Sequence, residues 1–181
     1  MLLFMTIMTV ALTGTDTEPV FVLDHPGVAF GSMPLELEEP VTGNLNPEAG
    51  VMESSPNATG TEFHVMYWLE EPIDTGARSQ WLEERLQTVL PPDILPQIIL
   101  GSPDWVEGSM DSPHRGTGSL GLMPTLNFNI VAESGAVLGA GRAAAFFRGG
   151  YSVLIYCIAP ANQSAFVRDN MDAMISQMYI L

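Results

Sequence analysis

Apolar residues recur along this chain with two rhythms, a period of two over most of its length and a period near 3.6 in two stretches. Thr61 to Leu69 alternates cleanly, with Phe63, Val65, Tyr67 and Leu69 on one face and His64, Met66 and Trp68 on the other. Bulk on both faces predicts a central strand covered on both sides. The last third repeats the signal in Leu122–Ala132, Ala136–Phe147 and Tyr151–Ala159. Glu133-Ser134-Gly135 and Arg148-Gly149-Gly150 separate these strands, and such short glycine-bearing connections suit antiparallel hairpins. Beyond Pro160-Ala161-Asn162 a helix is expected over Ser164–Met178, with Val167, Met171, Met174 and Met178 as its apolar stripe.

The other helical stretch is Ala77–Leu90, where Trp81, Leu82, Leu86, Val89 and Leu90 face inward and Glu83, Glu84, Arg85 and Gln87 stay in water. Pro91-Pro92 stops it, because proline lacks a donor and disfavours helix in the residue before it. Upstream, Val20–Leu23 and Val28–Phe30 are short strand candidates around the turn sequence Asp24-His25-Pro26-Gly27. Pro34–Pro56 is rich in Pro, Gly, Asn and Glu and reads as loop, with a hint of strand only at Val51-Met52. Gly101–Gly121 reads as a second long loop around at most one short strand. Residues 20–181 are therefore expected to form a single α+β domain around a mainly antiparallel sheet, with acidic loop inserts at 35–61 and 101–121.

Residues 1–19 are different in kind. Met1–Leu12 is almost wholly apolar, and Thr13–Pro19 is a polar linker. The stretch resembles the core of a secretory signal, but no Lys or Arg precedes it and Ala11-Leu12-Thr13-Gly14 is a poor cleavage region. It is shorter than the roughly 20 residues that span a bilayer as a helix. Kept uncut, such a leader must be buried in lipid, in a partner or in its own domain. The expectation is a short membrane or partner anchor docking through Leu2, Leu3, Phe4, Ile7, Val10 and Leu12, with a plain N-terminal strand as the alternative.

Composition narrows the partners. Hydrophobic residues make up 46% of the 181 and charged ones 15%, which favours a folded state over disorder. A net charge of −15, from 21 acids against 6 arginines and no lysine, repels phosphate backbones and argues against nucleic acid.

No motif discloses a chemistry. Val137-Leu138-Gly139-Ala140-Gly141-Arg142-Ala143-Ala144 matches part of a dinucleotide fingerprint, yet only Ala143–Phe147 would remain for the helix, and no acid lies about 20 positions on to hold a ribose. A strand of small residues approached closely by a neighbour is the better reading. His25, His64 and His114 sit in separate segments without ligand spacing. Cys157, the single cysteine, lies mid-strand and reads as a small buried hydrophobe. Glu38-Glu39 and Glu70-Glu71 are adjacent, so in a strand their carboxylates face opposite ways. No catalytic set, cofactor or metal ligand is assigned.

Two stretches carry a resemblance to the PsbP-like and Mog-like family and to small bacterial lipoproteins of the same fold. One is Phe21-Val-Leu-Asp-His-Pro-Gly-Val-Ala-Phe-Gly-Ser-Met-Pro34, similar to the family's opening strand pair. The other is the closing pattern Gly150-Tyr151, Tyr156-Cys-Ile-Ala-Pro160, Phe166 and Met174-Ile175, with the helix around Trp81-Leu-Glu-Glu-Arg85 between them. The resemblance implies an α/β/α sandwich and a non-enzymatic role, since members serve as extrinsic or accessory proteins on larger assemblies, including photosystem II. The expected function is thus an accessory subunit docked on a larger membrane protein complex at its extracytoplasmic, periplasmic side. The alternative is a free periplasmic or secreted domain binding a small ligand in a pocket lined by Tyr67, Trp68 and Trp105.

Overall fold

The computed structural model describes residues 21–23, 28–30, 41–53, 59–92, 94, 97–107, 121–176 and 178–180. The long alternating segments form the centre of one sheet. Strand β5 is Glu62–Leu69, β8 is Leu122–Val131, β9 is Val137–Arg148 and β10 is Tyr151–Pro160. The two short glycine connections make β8–β9–β10 an antiparallel meander, and β10 then pairs with β5. At the second connection Gly149 and Gly150 take φ of 60° and 83°, a left-handed pair that only glycine adopts without strain. Shorter strands complete the sheet: β3 (Val41–Leu45), β4 (Ala49–Glu53), β6 (Ile98–Leu100) and β7 (Asp104–Glu107). The order is β3-β4-β5-β10-β9-β8-β6, with β7 also on β8, and each pairing is antiparallel. A second sheet of three strands joins β1 (Phe21–Leu23), β2 (Val28–Phe30) and β11 (Met178–Ile180) in the order β1-β2-β11.

Both faces of the large sheet are covered, as the two-sided bulk of β5 predicts. On one face Phe63, Val65, Phe146, Ile155 and Cys157 pack with Val167, Met171, Met174 and Ile175 of helix α2 (Ser164–Ser176). On the other, Met66, Ala143, Ala145, Leu154 and Tyr156 pack with Trp81, Leu82, Leu86 and Leu90 of helix α1 (Arg78–Val89) and its C-cap. The result is an α+β fold, an α/β/α sandwich around an antiparallel sheet. Leu90 ends α1 in extended backbone, φ −67° and ψ 143°, as a residue before proline must.

Two expectations need correction. The insert 35–61 is not loop throughout, because Val41–Leu45 and Ala49–Glu53 are a hairpin that extends the sheet beyond β5. Its turn is built by Asn46, whose Oδ1 accepts from the N–H groups of Glu48 and Ala49, both at 2.9 Å. Tyr67 and Tyr151 then donate their hydroxyls to the carbonyls of Asn46 and Pro47, each at 2.8 Å. A long-range anchor of this kind holds strands whose own sequence is poor in β-formers. The insert 101–121 contributes the short strand β7, within the expectation of at most one. Helix α2 stops at Ser176 rather than Met178, which is still buried but belongs to β11, paired to β2.

Candidate functional site

The proposed anchor residues Leu2, Leu3, Phe4, Ile7, Val10 and Leu12 lie outside the described residues, as do His25, Glu38, Glu39 and His114. His64 sits on the α1 face of β5, stacked on Tyr156 with ring centroids 4.5 Å apart and planes 9° apart. Glu53 stands 3.7 Å from its Nδ1 and Glu62 3.4 Å from its Nε2. Those nitrogens point away from each other, so the two carboxylates bracket the ring and do not form one chelate with it. Among the described residues no group of three His, Cys, Asp or Glu is arranged to hold a metal.

Gly139-Ala140-Gly141 lies inside β9, paired on both sides with β8 and β10, and opens no phosphate loop. The irregularity in the β8–β9 pairing falls at Ile130/Val131, where β9 carries the extra residue Leu138. The glycine at 141 makes room for a ring: a Cβ there would stand 2.0 Å from Phe128 Cζ and 2.5 Å from the carbonyl oxygen of Cys157. Cys157 itself is fully buried, and burial pushes its thiol well above the usual 9.0, with Glu62 adding to the shift. A thiol held protonated in the core is no nucleophile. The ligand pocket expected from Tyr67, Trp68 and Trp105 does not assemble. Tyr67 faces α2, Trp68 faces α1, and Trp105 stands 40% exposed on β7 at the far side of the sheet.

What does assemble is a ladder of cations and rings at the end of the α1 face. Arg85 donates to both carboxylate oxygens of Glu70, at 2.9 and 3.1 Å, while its guanidinium lies 4.5 Å from the Trp68 ring centroid and 5.3 Å from that of Trp81. Trp81 meets Trp68 edge-on at 6.0 Å and Phe147 edge-on at 5.1 Å. Arg78, the first residue of α1, covers Phe147 at 4.9 Å. Each contact between a guanidinium and a ring contributes about 0.5–2 kcal/mol, more as water is excluded.

The ladder ends at a cleft of about 140 Å³, between the β9–β10 turn and the segment leading into α1. Glu70, Glu71, Ile73, Arg78, Phe147 and Arg148 contribute to its walls. Arg78 Nε and Arg148 Nη1 are both shielded from solvent, and neither finds an acceptor among the described residues. Three of the chain's six basic residues, Arg78, Arg85 and Arg148, thus gather in one corner of a molecule with net charge −15. By sequence alone Arg85 belongs to the wet side of a helix and Arg148 to a turn. The 63-residue and 70-residue separations that bring Arg148 to Arg85 and Arg78 leave no local trace; only the packing of α1 on the sheet, with Trp81 and Arg78 against Phe147 of β9, unites them.

A separate polar knot lies on the other face. Arg142, 4% exposed in the middle of β9, donates to Asp172 of α2 at 2.6 Å, to Asn127 at 3.1 Å and to Thr125 at 3.0 Å. It is structural, because its bonds join β9 to the neighbouring β8 through Asn127 and Thr125 and to α2 through Asp172.

No protein-family model matches this sequence, and no curated protein is similar to it by sequence comparison. The structure does find likeness: the solution structure of cyanobacterial PsbP (CyanoP) from Synechocystis sp. PCC 6803 superposes with a TM-score of 0.57 over 89% of this chain and 91% of that one, at 11% identity. Identity that low establishes the fold and nothing finer, and the fold of this chain is PsbP-like.

Proposed function

We propose that this protein is a non-enzymatic accessory subunit that docks on a larger membrane protein complex at its extracytoplasmic face. The observation that carries the reading is the PsbP-like fold shared over nine-tenths of both chains. The polar side chains support it. Arg142 is spent on holding α2, His64 is bracketed rather than paired to a nucleophile, and Cys157 is held protonated in the core. A photosynthetic assembly is the setting that the cyanobacterial likeness favours. Met1–Leu12 would supply the attachment, through lipid or a groove of the partner.

The test is co-purification. Full-length chain carrying a C-terminal tag, expressed in its source cells, should travel in mild detergent with a particle far larger than its own 19.6 kDa. A chain lacking residues 1–14 should leave that particle. Full-length protein that stays in the soluble fraction at the size of one chain overturns the reading, and a truncated chain that still co-purifies overturns the anchor.

A further inference from the structure

We propose that the cleft between Arg78 and Arg148 is a binding site for a carboxylate group. The two arginines come from different elements, one opening α1 and one closing β9 at the Gly149-Gly150 turn, yet both line the same cleft. Each turns a nitrogen away from solvent, and neither nitrogen has an acceptor among the described residues. A guanidinium nitrogen withdrawn from water without an acceptor is unfavourable. Neither nitrogen has surface open to the cleft as the side chains stand, so an oxyanion meets them only when the guanidinium groups turn toward it, supplying then the acceptors that the fold leaves out. The nearby acids do not fill the role. Glu70 gives both its oxygens to Arg85, and Glu71 is exposed on the rim. The floor of the site is packed: Phe147 lies beneath Arg78 and meets Trp81 edge-on.

Size and geometry set the ligand class. About 140 Å³ is well below the roughly 300–1,000 Å³ of sites for nucleotide-sized or drug-sized ligands, and fits a group of a few heavy atoms. Guanidinium forks match planar oxyanions bidentately, which a carboxylate satisfies through two oxygens. In a molecule this acidic the general field repels anions, so binding requires a built local contact and cannot come from bulk attraction. The carboxylate belongs either to a free small acid or to an acidic side chain or C-terminus of a partner. Only the second source rests on the accessory-subunit reading.

The experiment is an NMR titration of the full chain, following the Arg Nε–Hε signals and the Trp81 indole signal. Sodium acetate is the probe, with sodium phosphate and sodium chloride at matched ionic strength as comparisons. Acetate should produce saturable shifts at Arg78, Arg148 and Trp81. Arg78→Gln with Arg148→Gln should weaken that binding roughly tenfold or more, with an unchanged far-UV spectrum. Arg148→Lys, which keeps the charge and loses the fork, should weaken it as well. Shifts that do not saturate, shifts equal in chloride, saturation by phosphate alone, or binding indifferent to the double variant would each overturn the proposal. The source is read separately, by co-purification of the double variant from cells. Its loss from an assembly that retains the wild-type chain assigns the carboxylate to the partner, and its retention assigns a free acid. Should the wild-type chain join no assembly, the accessory reading falls while the acetate result stands.

Discussion

Arg142 and Asp172 meet across the interface between β9 and α2, with Nε donating to Oδ1 at 2.6 Å. The arginine side chain is 5% exposed and the aspartate 43%, so the pair is anchored in the core and opens to water at one end. Removing the arginine strands Asn127 and Thr125 as well as the carboxylate. Arg142→Ala is expected to lower stability by about 3–5 kcal/mol in urea denaturation, through the core volume emptied in β9 and the acceptors left without a donor. Asp172→Asn, whose partner keeps two neutral acceptors, should lower it by about 1–2 kcal/mol. Equal losses for the two variants would contradict this account of the knot.

Phe128 and Gly141 fit ring against backbone, with no space for a Cβ. Gly141→Ala must displace either the ring or the carbonyl of Cys157, and overpacking of this kind costs about 1–3 kcal/mol. Pairing it with Phe128→Leu should recover part of the loss, a non-additivity that a double-mutant cycle reads directly.

The thiol of Cys157 should be inert to a water-soluble disulfide reagent at neutral pH and react once the chain is unfolded. The same burial fixes a pH dependence. Cys157 and Tyr156 both titrate higher in the folded chain than their ordinary 9.0 and 10.0, through burial first and then Glu62 at the cysteine and Glu53 and Glu62 at the tyrosine. Above those ordinary values the unfolded chain releases protons that the folded chain retains. Stability is therefore intact below pH 9.0 and falls as pH rises through 9.0 and 10.0, by up to about 1.4 kcal/mol per pH unit for each group. Cys157→Ala should flatten the part of the decline that begins at the lower value, and an unchanged alkaline profile in that variant would refute the assignment.

Arg85 spans Glu70, Trp68 and Trp81, so its ion pair and its ring contacts can be separated. Glu70→Gln removes only the partly exposed charge and should lower stability by less than about 1 kcal/mol. Arg85→Ala also strips the cover from both indoles and should cost more, with a shift in tryptophan fluorescence that Glu70→Gln lacks.

The strands and helices of this protein are legible in its sequence wherever the signal is local. The double-sided bulk of Phe63–Trp68 announced a central strand, Gly149-Gly150 a tight turn, and Pro91-Pro92 the end of α1. These features follow from side-chain period and from the allowed φ and ψ of single residues, which the neighbouring sequence alone dictates. The β3–β4 hairpin was not legible, because the hydroxyls of Tyr67 and Tyr151 that hold its turn come from strands 21 and 104 residues away. Nor was the arginine cleft, or the pairing of Arg142 with an aspartate 30 positions on. Which charges find partners, and which are left waiting for one, depends on strand order and helix placement. Only the assembled sheet, with a helix laid on each face, sets those.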